Sequence, residues 1–181
     1  MSERAKAGWR EVDTAPPDAA REILTRACGS TQWVDRMLAR RPFGGEAALQ
    51  AAAREEWFAL PERDWLEAFS HHPAIGDGAL APPKLTGEGG SLAARFPVTH
   101  DLSAKEQSAV AFATADVLIE LAKANQAYLD RFGFIFIVCA TGKTAAEMLA
   151  LLRARLSNDR ATELRTAAEE QAKITALRLS Y

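Results

Sequence analysis

Residues 132–140 read FGFIFIVCA. An apolar, β-branched run of this length reads, taken alone, as a buried strand. A strand needs a neighbour to pair its backbone N–H and C=O groups, and no second convincing strand exists elsewhere in the chain. The run is therefore expected to be an extended or irregular buried segment in an otherwise helical protein.

On both sides of it the pattern is helical. Upstream, residues 103–132 read as one long helix, with Val110, Ala113, Val117, Leu121, Ala124 and Tyr128 three or four apart. Downstream, Thr144 and Glu147 have the spacing of a capping box, opening a helix to about Leu156. Asp159 can cap a last long helix carrying Leu164, Ala168, Gln171, Ile174 and Arg178.

Nearer the N-terminus, Pro16, Pro17 and Asp18 precede a helix over 19–27 that Gly29 closes. Ser30 can cap a short helix from Thr31 to about Arg40, ended by Pro42 and the pair Gly44 and Gly45. Residues 46–59 form a third helix, with Leu49, Ala52, Ala53 and Trp57 at helical spacing. Pro61 can start a fourth, with Trp65, Leu66 and Phe69 on one side. Between 73 and 97 the chain carries Gly76, Gly78, Pro82, Pro83, Gly87, Gly89 and Gly90, which exclude a long regular element. The expected fold is all-α: a single-domain bundle of about seven helices over 1–181, with one long Gly/Pro-rich loop at 73–102. Residues 1–15 are expected to be a partly ordered N-terminal segment.

Composition narrows the function classes. Of 181 residues, 48% are hydrophobic and 25% charged, ordinary values for a globular chain. With 22 basic and 24 acidic side chains, the net charge of −2 gives no electrostatic reason to expect nucleic acid or an anionic membrane as partner. No apolar run approaches the ~20 residues that span a bilayer. MSERAKAGWREVD at the start has no signal-peptide core, and RLSY at the end is not a peroxisomal tripeptide. A soluble cytoplasmic protein is the expectation. Cys28 and Cys139 lie far apart, outside any zinc-ligand spacing, and read as free buried thiols.

Four short motifs could carry chemistry. His71, His72 and Pro73 stand where a helix stops and the long loop begins. The negative end of the helix dipole favours a protonated imidazole there, although histidines also close helix ends without further role. Ser103 and Glu106 have capping-box spacing at the start of the long helix. A carboxylate fixed in that way can also orient a neighbouring imidazole. Gly142, Lys143 and Thr144, after an apolar run and before a helix, have the outline of a phosphate-binding loop. That motif needs a glycine at the position held by Ile137, so nucleotide binding is not expected. Arg178, near the end of the last helix, is either a surface cation at a helix C-terminus or a fork that binds a carboxylate. His100 is the only further histidine, and no metal-binding set is apparent.

Taken in order, these residues resemble a known family. The likeness runs through Cys28, Gly29, Ser30 and Trp33, then Arg41, Pro42 and Phe43, then Asp64, Trp65, Leu66, Ala68 and Phe69. It continues with His72, Pro73, Ala74, Ile75 and Gly76, then Ser103, Glu106, Gln107 and Asn125. It covers Tyr128, Arg131, Phe132, Gly133, Phe134 and the run 136–140, and ends with Lys173, Ile174, Leu177, Arg178 and Leu179. The chain resembles the 2-oxo-4-hydroxy-4-carboxy-5-ureidoimidazoline (OHCU) decarboxylases over most of its length. It departs from the shorter members in the insert 78–99.

The resemblance implies an all-α fold, commonly homodimeric, and a carboxy-lyase that needs neither metal nor organic cofactor. The implied reaction is loss of CO2 from OHCU, followed by protonation on one face, giving (S)-allantoin in urate degradation. His72 corresponds to the family's catalytic histidine, and His71 does not. Glu106 and Arg178 correspond to its acidic partner and its C-terminal arginine. Ser103 and Gln107 belong to its polar substrate-binding cluster. Pro73 and the backbone of Phe136, Ile137, Val138, Cys139 and Ala140 correspond to its substrate cradle. The alternative is a non-catalytic helical ligand-binding domain, which would keep Arg178 but need no pairing of His72 with Glu106.

Overall fold

Every regular element among the described residues is a helix. The structure, a computed structural model, describes residues 8–73 and 115–180. The loop expected beyond Pro73, the first part of the long helix expected from Ser103, and the capping box of Ser103 and Glu106 lie outside the described residues.

Seven of the eight described helices are the expected ones, and local chemistry explains most of their ends. Helix α2, Pro17–Ala27, has proline at its first position and Asp18 in its first turn, and gives way to extended backbone at Cys28. Helix α3, Thr31–Ala39, is capped by Ser30, whose hydroxyl accepts from Trp33 N at 3.3 Å. Helix α4, Glu46–Phe58, buries Leu49, Ala52, Ala53 and Trp57. Helix α5 is Glu62–Ser70. Helix α6 is described over Ala115–Phe132. It stops at Gly133, whose φ of 78° is open to glycine and whose N–H bonds the Leu129 carbonyl at 2.8 Å. Helix α7, Ala145–Arg155, opens on a complete capping box between Thr144 and Glu147. Asp159 accepts from Thr162 N at 2.9 Å and so caps α8, Arg160–Leu179.

The eighth helix is α1, Trp9–Thr14, in the stretch expected to be only partly ordered. Its anchor is Asp13, whose carboxylate accepts from Phe43 N at 2.9 Å and Gly44 N at 2.8 Å. The run 132–140 forms no strand: after the end of α6 its residues belong to no regular element, and 136–140 are all buried.

The chain divides into two compact units, Met1–Ala68 with Ala168–Tyr181, and Phe69–Ala167. In the first, Trp33 and Trp57 are buried and Trp65 is half-buried, and all three indoles satisfy their N–H groups on backbone carbonyls. Trp33 donates to Ala53 at 3.0 Å, Trp57 to Ala168 at 2.8 Å and Trp65 to Trp57 at 2.9 Å. In the second, α6 packs on α7, and Tyr128 centres an aromatic cluster. Its ring lies 4.7 Å from Phe132, 5.8 Å from Phe134 and 5.3 Å from Phe136, the last two edge-on. Such pairs add about 0.5–1.5 kcal/mol each beyond the area they bury.

Candidate active site

The segment 136–140 is buried but belongs to no regular element. Among the described residues, the N–H groups of Phe136, Ile137, Val138 and Ala140 have no hydrogen-bond acceptor. A buried peptide group left in that state costs free energy unless something outside the chain meets it. Two carbonyls of the segment are occupied by cations instead. Arg155 Nη1 donates to the Ile137 carbonyl at 2.8 Å, and Lys143 Nζ to the Cys139 carbonyl at 2.7 Å.

The turn that follows explains Gly142. Lys143 N bonds the Ala140 carbonyl at 3.0 Å, and Gly142, third in that turn, has φ of 77°. With Lys143 turned onto Cys139 and Thr144 engaged in capping, the sequence Gly142-Lys143-Thr144 is spent on a turn and a helix start.

His72 lies just beyond α5, half-buried like His71 and Pro73. Its N–H bonds the Phe69 carbonyl at 3.1 Å, so the imidazole stands at a helix C-terminus as expected. Phe69, three residues earlier, is buried against Phe134, with ring centroids 5.6 Å apart. That contact ties the end of α5 to the approach of the 136–140 segment within the second unit.

Behind the segment lies a group of buried polar side chains that hydropathy patterns did not reveal. Arg155 Nε donates to Glu163 Oε1 at 2.7 Å, and its guanidinium stacks 4.7 Å from the centroid of Phe136. Tyr128 donates its hydroxyl to the same carboxylate oxygen, and Asn158 Nδ2 donates to the other at 2.7 Å. Glu163 has no exposed surface. Burial, and then the Glu163 hydrogen bond, hold the Tyr128 phenol well above its ordinary range.

Arg178 belongs to the first unit. Its Nη1 donates to the carbonyl of Arg26 at 3.3 Å, in the last turn of α2, where carbonyls lack helical partners. Thr175, one turn earlier on α8, donates to the Ala27 carbonyl at 3.4 Å and accepts from Gln171 Nε2 at 3.2 Å. Cys28, next after Ala27, forms no disulfide and is fully buried. Burial pushes its thiol up to about 12, against weaker downward pulls from the Ser30 backbone, Thr175 and the Arg178 charge.

Of the expected site residues, His72, Pro73 and the 136–140 segment thus fall in the second unit and Arg178 in the first. Glu106, Ser103 and Gln107 lie outside the described residues. A cavity of about 230 Å³ in the first unit, lined by Gln50, Arg54, Trp57 and Lys173 among others, touches none of them. Among the described residues no three His, Cys, Asp or Glu side chains gather as a metal site would require. No described helix is long and apolar enough to cross a membrane.

Comparison with known proteins agrees with the residue pattern. The plant uric acid degradation bifunctional protein TTL from Arabidopsis thaliana is 43% identical over 156 residues, 84% of this chain. The chain spans only 44% of that protein's length. The 2-oxo-4-hydroxy-4-carboxy-5-ureidoimidazoline decarboxylase of Amia calva is 30% identical over 139 residues, covering 77% of this chain and 73% of its own. A crystal structure of OHCU decarboxylase in the presence of (S)-allantoin superposes with a TM-score of 0.70 at 37% identity, covering 87% of this chain and 94% of that one. The family model for OHCU decarboxylase matches residues 13–180, nearly the whole chain, and the chain belongs to that family.

Proposed function

We propose that this chain is a carboxy-lyase that converts OHCU to (S)-allantoin and CO2 in urate degradation, without metal or organic cofactor. The observation that supports it most is the set of buried, unpaired backbone N–H groups of Phe136, Ile137, Val138 and Ala140. A flat substrate rich in ring-amide and ureido groups offers the complementary donors and acceptors. His72 at the end of α5, tied to that region through Phe69 and Phe134, supplies a titratable group.

The chemistry follows from charge. The bond between the ring carbon and the carboxylate breaks, CO2 leaves, and the electron pair enters the ring. A proton is then added on one face. In this reading Arg178 holds anionic substrate oxygen through charge-assisted hydrogen bonds. His72 performs acid/base work at the substrate hydroxyl and carboxylate, since imidazole exchanges protons near neutrality. Glu106 orients His72 and binds substrate. Ser103, Gln107 and Pro73 complete the binding surface, with the 136–140 backbone as cradle. Donors fixed where charge develops lower the barrier.

The same reading takes the chain as one domain, homodimeric and cytoplasmic; light scattering tests the dimer. The function is tested with His72→Ala and Arg178→Lys on OHCU generated in place from urate. His72→Ala is expected to lose at least about a hundredfold in rate, the usual scale for an acid/base group. Arg178→Lys keeps the charge but loses the fork, and is expected to raise KM. A His72→Ala variant at wild-type rate would overturn the assignment.

A further inference from the structure

We propose that Lys143 and Arg155 are positioning residues for this reaction: they hold the carbonyls on either side of Val138, so that the backbone N–H and C=O of Val138 are presented to substrate. The inference rests on the decarboxylase reading and adds two residues to it.

The carbonyls they hold, Ile137 and Cys139, are two residues apart. They flank Val138, so the two cations fix the backbone on either side of it. Arg155 is fixed from behind, because Glu163 and Phe136 hold its guanidinium in place. Lys143 is fixed by the turn through Gly142, which brings its half-buried ammonium back onto Cys139.

Val138, between the two anchored residues, is 6% exposed, and neither its N–H nor its C=O has a hydrogen-bond partner among the described residues. Buried backbone groups are otherwise almost always paired. Unpaired groups held between two anchored carbonyls are the arrangement expected where a ligand completes the pairing. Shifts of about 1 Å in such a cradle can cost on the order of a hundredfold in rate. Lys143 and Arg155 therefore act through the backbone they hold, without touching substrate.

Removal of Arg155 strands the Glu163 carboxylate in the core and is expected to be strongly destabilising, which confounds its kinetics. The decisive variant is Lys143→Met, which keeps the stem and removes the donor, with Lys143→Arg as the conservative rescue. Two readouts are taken: steady-state kinetics with OHCU, and amide hydrogen exchange over 136–140 in the unliganded protein. The expected result is a KM raised about tenfold or more with kcat changed less, and faster exchange over 136–140, both restored by Lys143→Arg. Wild-type KM in Lys143→Met, or unchanged exchange, would overturn the proposal while leaving the decarboxylase reading intact. A folded wild type with no turnover would overturn the decarboxylase reading and the positioning role of both residues together.

Discussion

Phe69 and Phe134 meet ring to ring, 5.6 Å between centroids and tilted by 43°, three residues before His72 and two before Phe136. The pair joins the helix end that bears the candidate acid/base group to the segment proposed to cradle substrate. Phe134→Leu keeps an apolar side chain there but removes the ring contact. It is expected to cost about 1–2 kcal/mol of stability and to lower kcat/KM by on the order of tenfold or more. Urea unfolding and OHCU kinetics on the same preparation separate the two effects. A loss of stability with unchanged kcat/KM would show that the pair serves packing alone.

Glu163 is completely buried and receives Arg155, Tyr128 and Asn158. Breaking a buried ion pair by removing one partner costs about 3–5 kcal/mol. In a chain of this size each kcal/mol lowers Tm by roughly 2–4 °C. Glu163→Ala is therefore expected to lower Tm by on the order of 10 °C in a calorimetric scan. A variant melting with the wild type would contradict the burial assigned to this carboxylate.

Cys28 gives stability a dependence on alkaline pH. Its thiol moves from 9.0 up to about 12 on folding, so the folded state keeps a proton that the unfolded chain loses first. Its contribution is fully present below 9.0 and is lost as pH rises toward about 12. Tyrosines and lysines titrate in the same range, so the relevant quantity is wild type minus Cys28→Ala. That difference is expected to fall with pH by at most about 1.4 kcal/mol per unit. Urea titrations at several alkaline pH values measure it, and a flat difference would contradict the assignment. The buried thiol is also expected to resist alkylation in the native protein.

At the acid end, the backbone and then the side chain of Thr144 hold the Glu147 carboxyl below its ordinary range. A depressed carboxyl stabilises the fold above its unfolded pKa, and that stabilisation is lost as pH falls through the folded value. Thr144→Ala is expected to weaken this acid dependence and, through loss of the cap, to lower stability by about 1 kcal/mol near neutrality. Thermal unfolding over an acid-to-neutral series checks both. Because the loop at Gly142 is a turn ahead of this cap, ATP with magnesium is expected to leave Tm unchanged.

Much of this architecture was legible residue by residue. Ser30, Thr144 and Asp159 announced helix starts that the structure places where the caps imply. The strand-like run at 132–140 is legible as unpaired because the sequence offers no second strand to pair with it. Helix α1 was not legible, since it has only six residues and one buried side chain, Val12. Its main anchor, Asp13, reaches backbone thirty residues away. The Arg155 and Glu163 pair was hidden for a related reason. Two charged residues near a polar turn look like surface, and only packing from α6 and the 136–140 segment makes them core. His72, the 136–140 run and Arg178 are visible as motifs, whereas the contact of Phe69 with Phe134 becomes visible only in three dimensions.

The most direct test of the decarboxylase reading is the handedness of the product. OHCU is generated from urate with urate oxidase and hydroxyisourate hydrolase, this protein is added, and circular dichroism follows allantoin as it forms. The account predicts rapid appearance of (S)-allantoin alone, well ahead of spontaneous decay. Racemic allantoin at the spontaneous rate, from protein shown to be folded, would contradict it.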